Sequence, residues 1–308
     1  MFSLSVAALL GLAAIAADDN RGRSRTTASL VLPIERSGHY VLEFDNILFD
    51  VVPAGGKIVT FSIDGHNMLA HTDPLNFGST LWSSPQADWN WPPQRAIDSE
   101  PYTVSVTGNM ITMTSAVTTT VPRISVIKKF TPNLAKHAID IEYTIRNEDT
   151  VVRNLAIWEV TRVAAGGLTF FPIVGAHSGR AGNTLEPSVV RGGYAWLDLA
   201  SNPPGNKKLY ADGGSTFLAH TDGKRLFVKT WADVPASAQA PAHGEVEFYD
   251  GDSYVELENQ GRYGAVPAGQ SISYKVRWLL LNLPAGADRI AQDPELLAAA
   301  VALATSAP

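Results

Sequence analysis

Apolar and polar residues alternate strictly along residues 137–147. Ile139, Ile141, Tyr143 and Ile145 fall on one side; Asp140, Glu142, Thr144 and Arg146 fall on the other. A period of two carried by β-branched and aromatic side chains predicts a strand with one buried face. Asn147-Glu148-Asp149-Thr150 reads as a turn and residues 151–163 as the next strand, so the pair is expected to form a hairpin. Similar runs occupy residues 40–44, 57–63, 102–107, 110–116, 124–130, 225–231, 245–248, 254–258 and 271–281. Gly55-Gly56, Thr107-Gly108-Asn109, Asp222-Gly223, Asp250-Gly251 and Pro267-Ala268-Gly269 separate them, and Gly and Asn suit the positive φ angles of tight turns.

One segment reads as a helix. Asp293-Pro294-Glu295 is a start signal, with Asp as N-cap and Pro at the first helical position, and an Ala- and Leu-rich run to Thr305 follows. Many short strands without intervening helices exclude a parallel α/β sheet and predict an all-β fold of large antiparallel sheets packed face to face. No blade-like repeat favours a propeller. Residues 82–93 read as an irregular loop between strands.

The apolar run 2–17 ends in Ala14-Ile15-Ala16, and Asp18-Asp19 follows. It has the length of a signal-peptide core, although no Lys or Arg precedes it. The expected division is a signal peptide over 1–17, a flexible lead-in over 18–28 and one β-sandwich domain over 29–308. The protein is then exported, periplasmic or secreted, with no membrane segment in the mature form. The oligomeric state is left open.

Composition narrows the chemistry. The 308 residues carry a formal charge of −6, which argues against a nucleic-acid partner. Lys128-Lys129 and Lys207-Lys208 are short basic pairs and read as background. With no cysteine, disulfides, thiolate metal sites and cysteine nucleophiles are excluded.

Three stretches resemble one superfamily. Pro53-Ala54-Gly55-Gly56-Lys57-Ile58-Val59, then Phe61 and Asp64-Gly65, is similar to the opening of aldose-1-epimerase-type proteins. The stretch from Phe77 to Pro93, FGSTLWSSPQADWNWPP, resembles the DUF4380-like bacterial branch of the galactose-mutarotase-like superfamily. Tyr254-Val255-Glu256-Leu257-Glu258, followed by Pro267-Ala268-Gly269-Gln270-Ser271, Tyr274 and Trp278, is similar to that superfamily's closing strands. The resemblance spans most of residues 30–283. It implies a β-supersandwich with a sugar-sized groove, closed by a short C-terminal helix, and a mono- or oligosaccharide ligand. It leaves the reaction open.

By the resemblance, Glu256 matches the glutamate that serves the epimerases as general base. Glu258, two residues on, shares its face. The middle strand, Trp158-Glu159-Val160-Thr161-Arg162, lacks the histidine that mutarotases usually carry there. Glu159 and Thr161 share one face, Trp158, Val160 and Arg162 the other, and the pattern alone does not say which lines the groove. His177 is the nearest substitute acid. Trp82, Trp89 and Trp91, with Gln86, Asp88 and Asn90, supply the aromatic plates and polar groups of a sugar platform, or else a structural plug. Arg95 and Arg162 suit an anionic sugar group. His66 and His71 with Asp64 and Asp73 match no strong metal signature, and neither metal nor cofactor is expected. Serine-hydrolase elbows, phosphate loops and dinucleotide fingerprints are absent.

Three functions fit these residues. The first is a carbohydrate-active isomerase, lyase or hydrolase using Glu256 with Arg162 or His177. The second is a carbohydrate-binding module without catalysis. The third is a structural cell-envelope protein whose groove is filled by side chains.

Overall fold

The computed structural model describes residues 30–199, 205–214 and 217–305. The expected signal and lead-in lie outside the described residues.

Two large antiparallel sheets pack face to face. The twelve-stranded sheet runs in the order Ile34–Arg36, His39–Phe44, Ile47–Val52, Lys57–Ile63, Ser79–Ser84, Arg153–Ala164, Tyr254–Gln260, Val246–Asp250, Lys207–Asp212, Val174–Gly179, with Gly264–Val266 and His66–Asn67 paired off this path. The ten-stranded sheet is centred on Arg225–Trp231, Ser271–Asn282, Ala138–Asn147 and Ile124–Asn133. Between them lies an aromatic-rich core. Phe61 meets Phe227 at 5.5 Å, and Phe227 meets Trp278 edge-on at 5.0 Å. Ile139, Ile141, Tyr143 and Ile145 all point into this core, as their alternation requires.

The helix Pro294–Ala304 covers the other face of the ten-stranded sheet. Leu296 and Ala300 pack there with Leu226, Val228 and Phe170. Asp293 caps it, its carboxylate accepting the Leu296 N–H at 2.7 Å.

Two expectations are corrected. Residues 138–147 and 153–164 do not form a hairpin: they belong to different sheets. Arg153–Ala164 is buried on both faces from Leu155 to Val163, so it takes a central position between Ser79–Ser84 and Tyr254–Gln260. Buried Asn147 pins the crossing, donating to Val151 O and Val266 O at 2.8 Å each. The second correction concerns residues 82–93. Trp82, Ser83 and Ser84 end the fully buried strand Ser79–Ser84, so the irregular loop begins only at Pro85.

Some strands escape the alternation rule. Leu168–Pro172 and Phe217–Thr221 are buried at every position and so carry no period of two. The Gly55-Gly56 turn has a steric cause. Gly55 has φ +67, and a Cβ there would fall 2.0 Å from Asp98 O. The Gly55 and Gly56 carbonyls accept from the buried Lys128 ammonium at 2.9 and 3.0 Å.

Candidate active site

The site lies on the face of the twelve-stranded sheet turned away from the other sheet. Pleating sends alternate residues of four adjacent strands to that face. One row across the strands reads Arg162, Glu256, Tyr249, Lys208; the next reads Val160, Glu258, Glu247, Tyr210. Above them stands an open cleft of about 410 Å³, whose walls include Trp82, Trp91, Trp158, Tyr210, Tyr249 and Tyr254. The third function required a filled groove, and this one is open.

Glu256 lines the cleft, and one of its oxygens is held by the Arg162 guanidinium at 2.8 Å. Arg162 is itself buried, with its guanidinium 5.5 Å from the Trp82 ring and 5.6 Å from that of Tyr254. Its Nε and Nη1 find no partner. A buried guanidinium with unmet donors favours an oxygen-bearing neighbour.

Lys208 sits between two carboxylates, 2.5 Å from Glu258 and 2.9 Å from Glu247. Trp158 donates its indole N–H to Glu258 at 2.7 Å. Burial lowers the Lys208 ammonium, but the attraction of Glu258, Glu247 and Glu256 outweighs it, so the group is raised and stays charged. Three carboxylates, Glu247, Glu256 and Glu258, thus meet two paired cations, Lys208 and Arg162, and a third cation, Arg180, lines the cleft. Glu258 is fully buried. Burial pushes its carboxyl up to about 8; Lys208 opposes the shift, while Glu247 and Glu256 add to it.

His243 enters from the loop before Val246–Asp250. Its Nδ1 lies 2.8 Å from Glu247, and its Nε2 accepts the Gln86 N–H at 3.2 Å. An accepting Nε2 requires the proton on Nδ1, donated to Glu247. The ring edge meets Trp158 at 5.0 Å.

The sequence-derived residues divide sharply. Glu256, Trp82, Gln86 and Trp91 line the cleft, Arg162 lies beneath Glu256, and Glu258 lies below the floor. Trp89 is a prop, donating to Ser83 O at 2.8 Å and packing 6.0 Å from Trp82. Asn90 lines a neighbouring hollow, and Asp88 is exposed outside the cleft. Arg95 is exposed and paired with Glu100 at 3.5 Å, so it contributes nothing to the cleft. His177 is bound to Glu186 at 2.7 Å on the edge strand Val174–Gly179 and does not line the cleft. Glu159, a candidate ligand contact had its face lined the groove, points instead into the inter-sheet core. There it pairs with Lys229 at 2.7 Å and accepts from Tyr143 at 2.7 Å. The middle strand's groove face is therefore Trp158, Val160 and Arg162.

Sequence reading missed Arg180, Lys208, Glu247, His243, Tyr210 and Tyr249 as cleft residues. A strand over 245–248 was expected, but its alternation does not say that Glu247 faces the cleft, and Lys207–Asp212 was not among the expected strands. A carboxylate cluster of Asp212, Asp233 and Glu245 also exists, but Trp231, Val234 and Gly213 N–H groups already occupy the Glu245 oxygens.

No protein-family model matches the chain, and comparison with curated proteins finds no match. Solved structures do resemble it. A galactose mutarotase-like protein from Lactobacillus casei aligns at TM-score 0.60 and 9% identity, over 79% of this chain and 100% of its own. A galactose mutarotase-like protein from Clostridium acetobutylicum gives 0.58 at 12% identity, over 82% of this chain and 99% of its own. A candidate aldose 1-epimerase from Escherichia coli K12 gives 0.57 at 10% identity, over 80% and 99%. The fold is that of the galactose-mutarotase-like β-supersandwich.

Proposed function

We propose that the protein binds a carbohydrate in this cleft and processes it with Glu256 as the base. One observation carries the reading: an aromatic-walled cleft has a cation-held carboxylate on its floor. Indole and phenol rings stack on the flat C–H faces of a pyranose, while carboxylate, ammonium and amide groups take its hydroxyls. The names of the structural neighbours support a sugar ligand, and residues 77–93 support a place in the DUF4380-like branch. The apolar run 2–17 supports export.

Ligand-observed NMR tests the proposal, with neutral and acidic monosaccharides and their oligomers against the unmodified protein and Glu256→Gln. Saturation transfer with anomer exchange or bond cleavage, lost in Glu256→Gln, is the expected result. Absence of binding by every sugar would remove the carbohydrate reading.

A second reading, binding without turnover, is favoured by His243. Both of its ring nitrogens are engaged within the protein, so among the described residues no free imidazole lines the cleft. Equal, unreactive binding to both forms of the protein selects it.

A further inference from the structure

We infer that the ligand is an oligosaccharide spanning more than one subsite, not a single sugar; this rests on the carbohydrate reading of the same cleft. The cleft does not end at Trp91 and His243. A second hollow of about 290 Å³ adjoins it and shares Gln86, Trp91, Tyr210 and His243 with it. A third, of about 390 Å³, joins both at Tyr210 and His243. Both are open to solvent, and their volumes lie near the low end of pockets that hold a small ligand, roughly 300 Å³. One pyranose occupies the first and leaves the others to solvent.

The linings fit such a chain. Trp91 stands on the boundary between the first two hollows with 58% of its surface exposed. Its ring meets Trp82 edge-on at 5.7 Å, which props the indole and leaves most of it uncovered. A large aromatic plate held in solvent beside a cleft is suited to stack a second sugar ring. Asn90 in the second hollow, and Ser178 and Gln239 in the third, offer groups for hydroxyls. Neither the second nor the third hollow is lined by a Lys or Arg among the described residues, so hydroxyl chemistry and stacking dominate recognition beyond the first.

Isothermal titration calorimetry tests this with glucose, galactose and galacturonic acid, and with the α- and β-linked dimers and tetramers of each. In at least one series, affinity is expected to rise about tenfold or more from monomer to tetramer, which is about 1.4 kcal/mol. Trp91→Ala is expected to cost the tetramer several-fold more affinity than the monomer. Ala87→Trp, which fills the second hollow from its exposed wall, is expected to bring tetramer affinity down to the monomer level. Circular dichroism confirms that both variants fold. Equal affinity of monomer and tetramer in every series that binds overturns the inference and leaves the carbohydrate reading standing. If no sugar of any length binds, both fall.

Discussion

Glu247 and Glu258 stand directly opposite each other on neighbouring strands, a like-charge pairing that ordinarily destabilises a sheet. Lys208 makes it tolerable by reaching both from the next strand. Removing the ammonium leaves the two buried carboxylates with no cation between them, only the Trp158 N–H at Glu258 and the His243, Gly244 and Gln260 donors at Glu247. Lys208→Met is therefore expected to cost about 3–5 kcal/mol of unfolding free energy, measured by urea denaturation, and a second change, Glu258→Gln, to recover part of it. His220 supplies a different kind of dependence. Burial pushes its imidazole down to about 4, and its Nδ1 lies 2.8 Å from the Thr169 hydroxyl. The unfolded chain then binds the proton more readily than the folded one between the ordinary His value and about 4. Stability is full above that window and falls as pH drops through it, by up to about 3 kcal/mol. A His220→Gln variant should flatten that slope; an unchanged slope would assign the loss to other groups.

At the scale of elements, periodicity and capping proved readable. The strand at Ala138–Asn147 and the helix at Pro294–Ala304 form where their patterns place them. The helix depends on its cap, because it docks by one narrow face with Leu296 and Ala300. Asp293→Ala is expected to lower stability by about 1 kcal/mol and the thermal midpoint by a few degrees, read by circular dichroism. The failed hairpin shows where such reading stops. Asn147-Glu148-Asp149-Thr150 has turn chemistry, but turn chemistry does not say whether the chain returns to the same sheet or crosses to the other. Two-sided burial of Arg153–Ala164 settles that, and it depends on Ser79–Ser84, more than seventy residues earlier.

At the scale of the whole molecule, the two faces of the twelve-stranded sheet do different work. The inner face builds the aromatic core; the outer face carries the cleft, with Trp82, Trp158 and Val160 as its own small apolar base. The sequence by itself determined the fold class, most long strands, the capped helix, and the presence of Glu256 and a tryptophan-rich segment. These are legible because they rest on local spacing and residue type. Only the tertiary structure decided that Glu159 turns inward while Arg162 turns to the cleft. The period of two divides residues between faces without saying which face meets the other sheet. It likewise decided that Lys208, read as background charge, lies at the centre of the site, and that His243 rather than His177 borders it. Those residues come from strands and loops far apart in the chain, and only the strand order of the sheet brings them together.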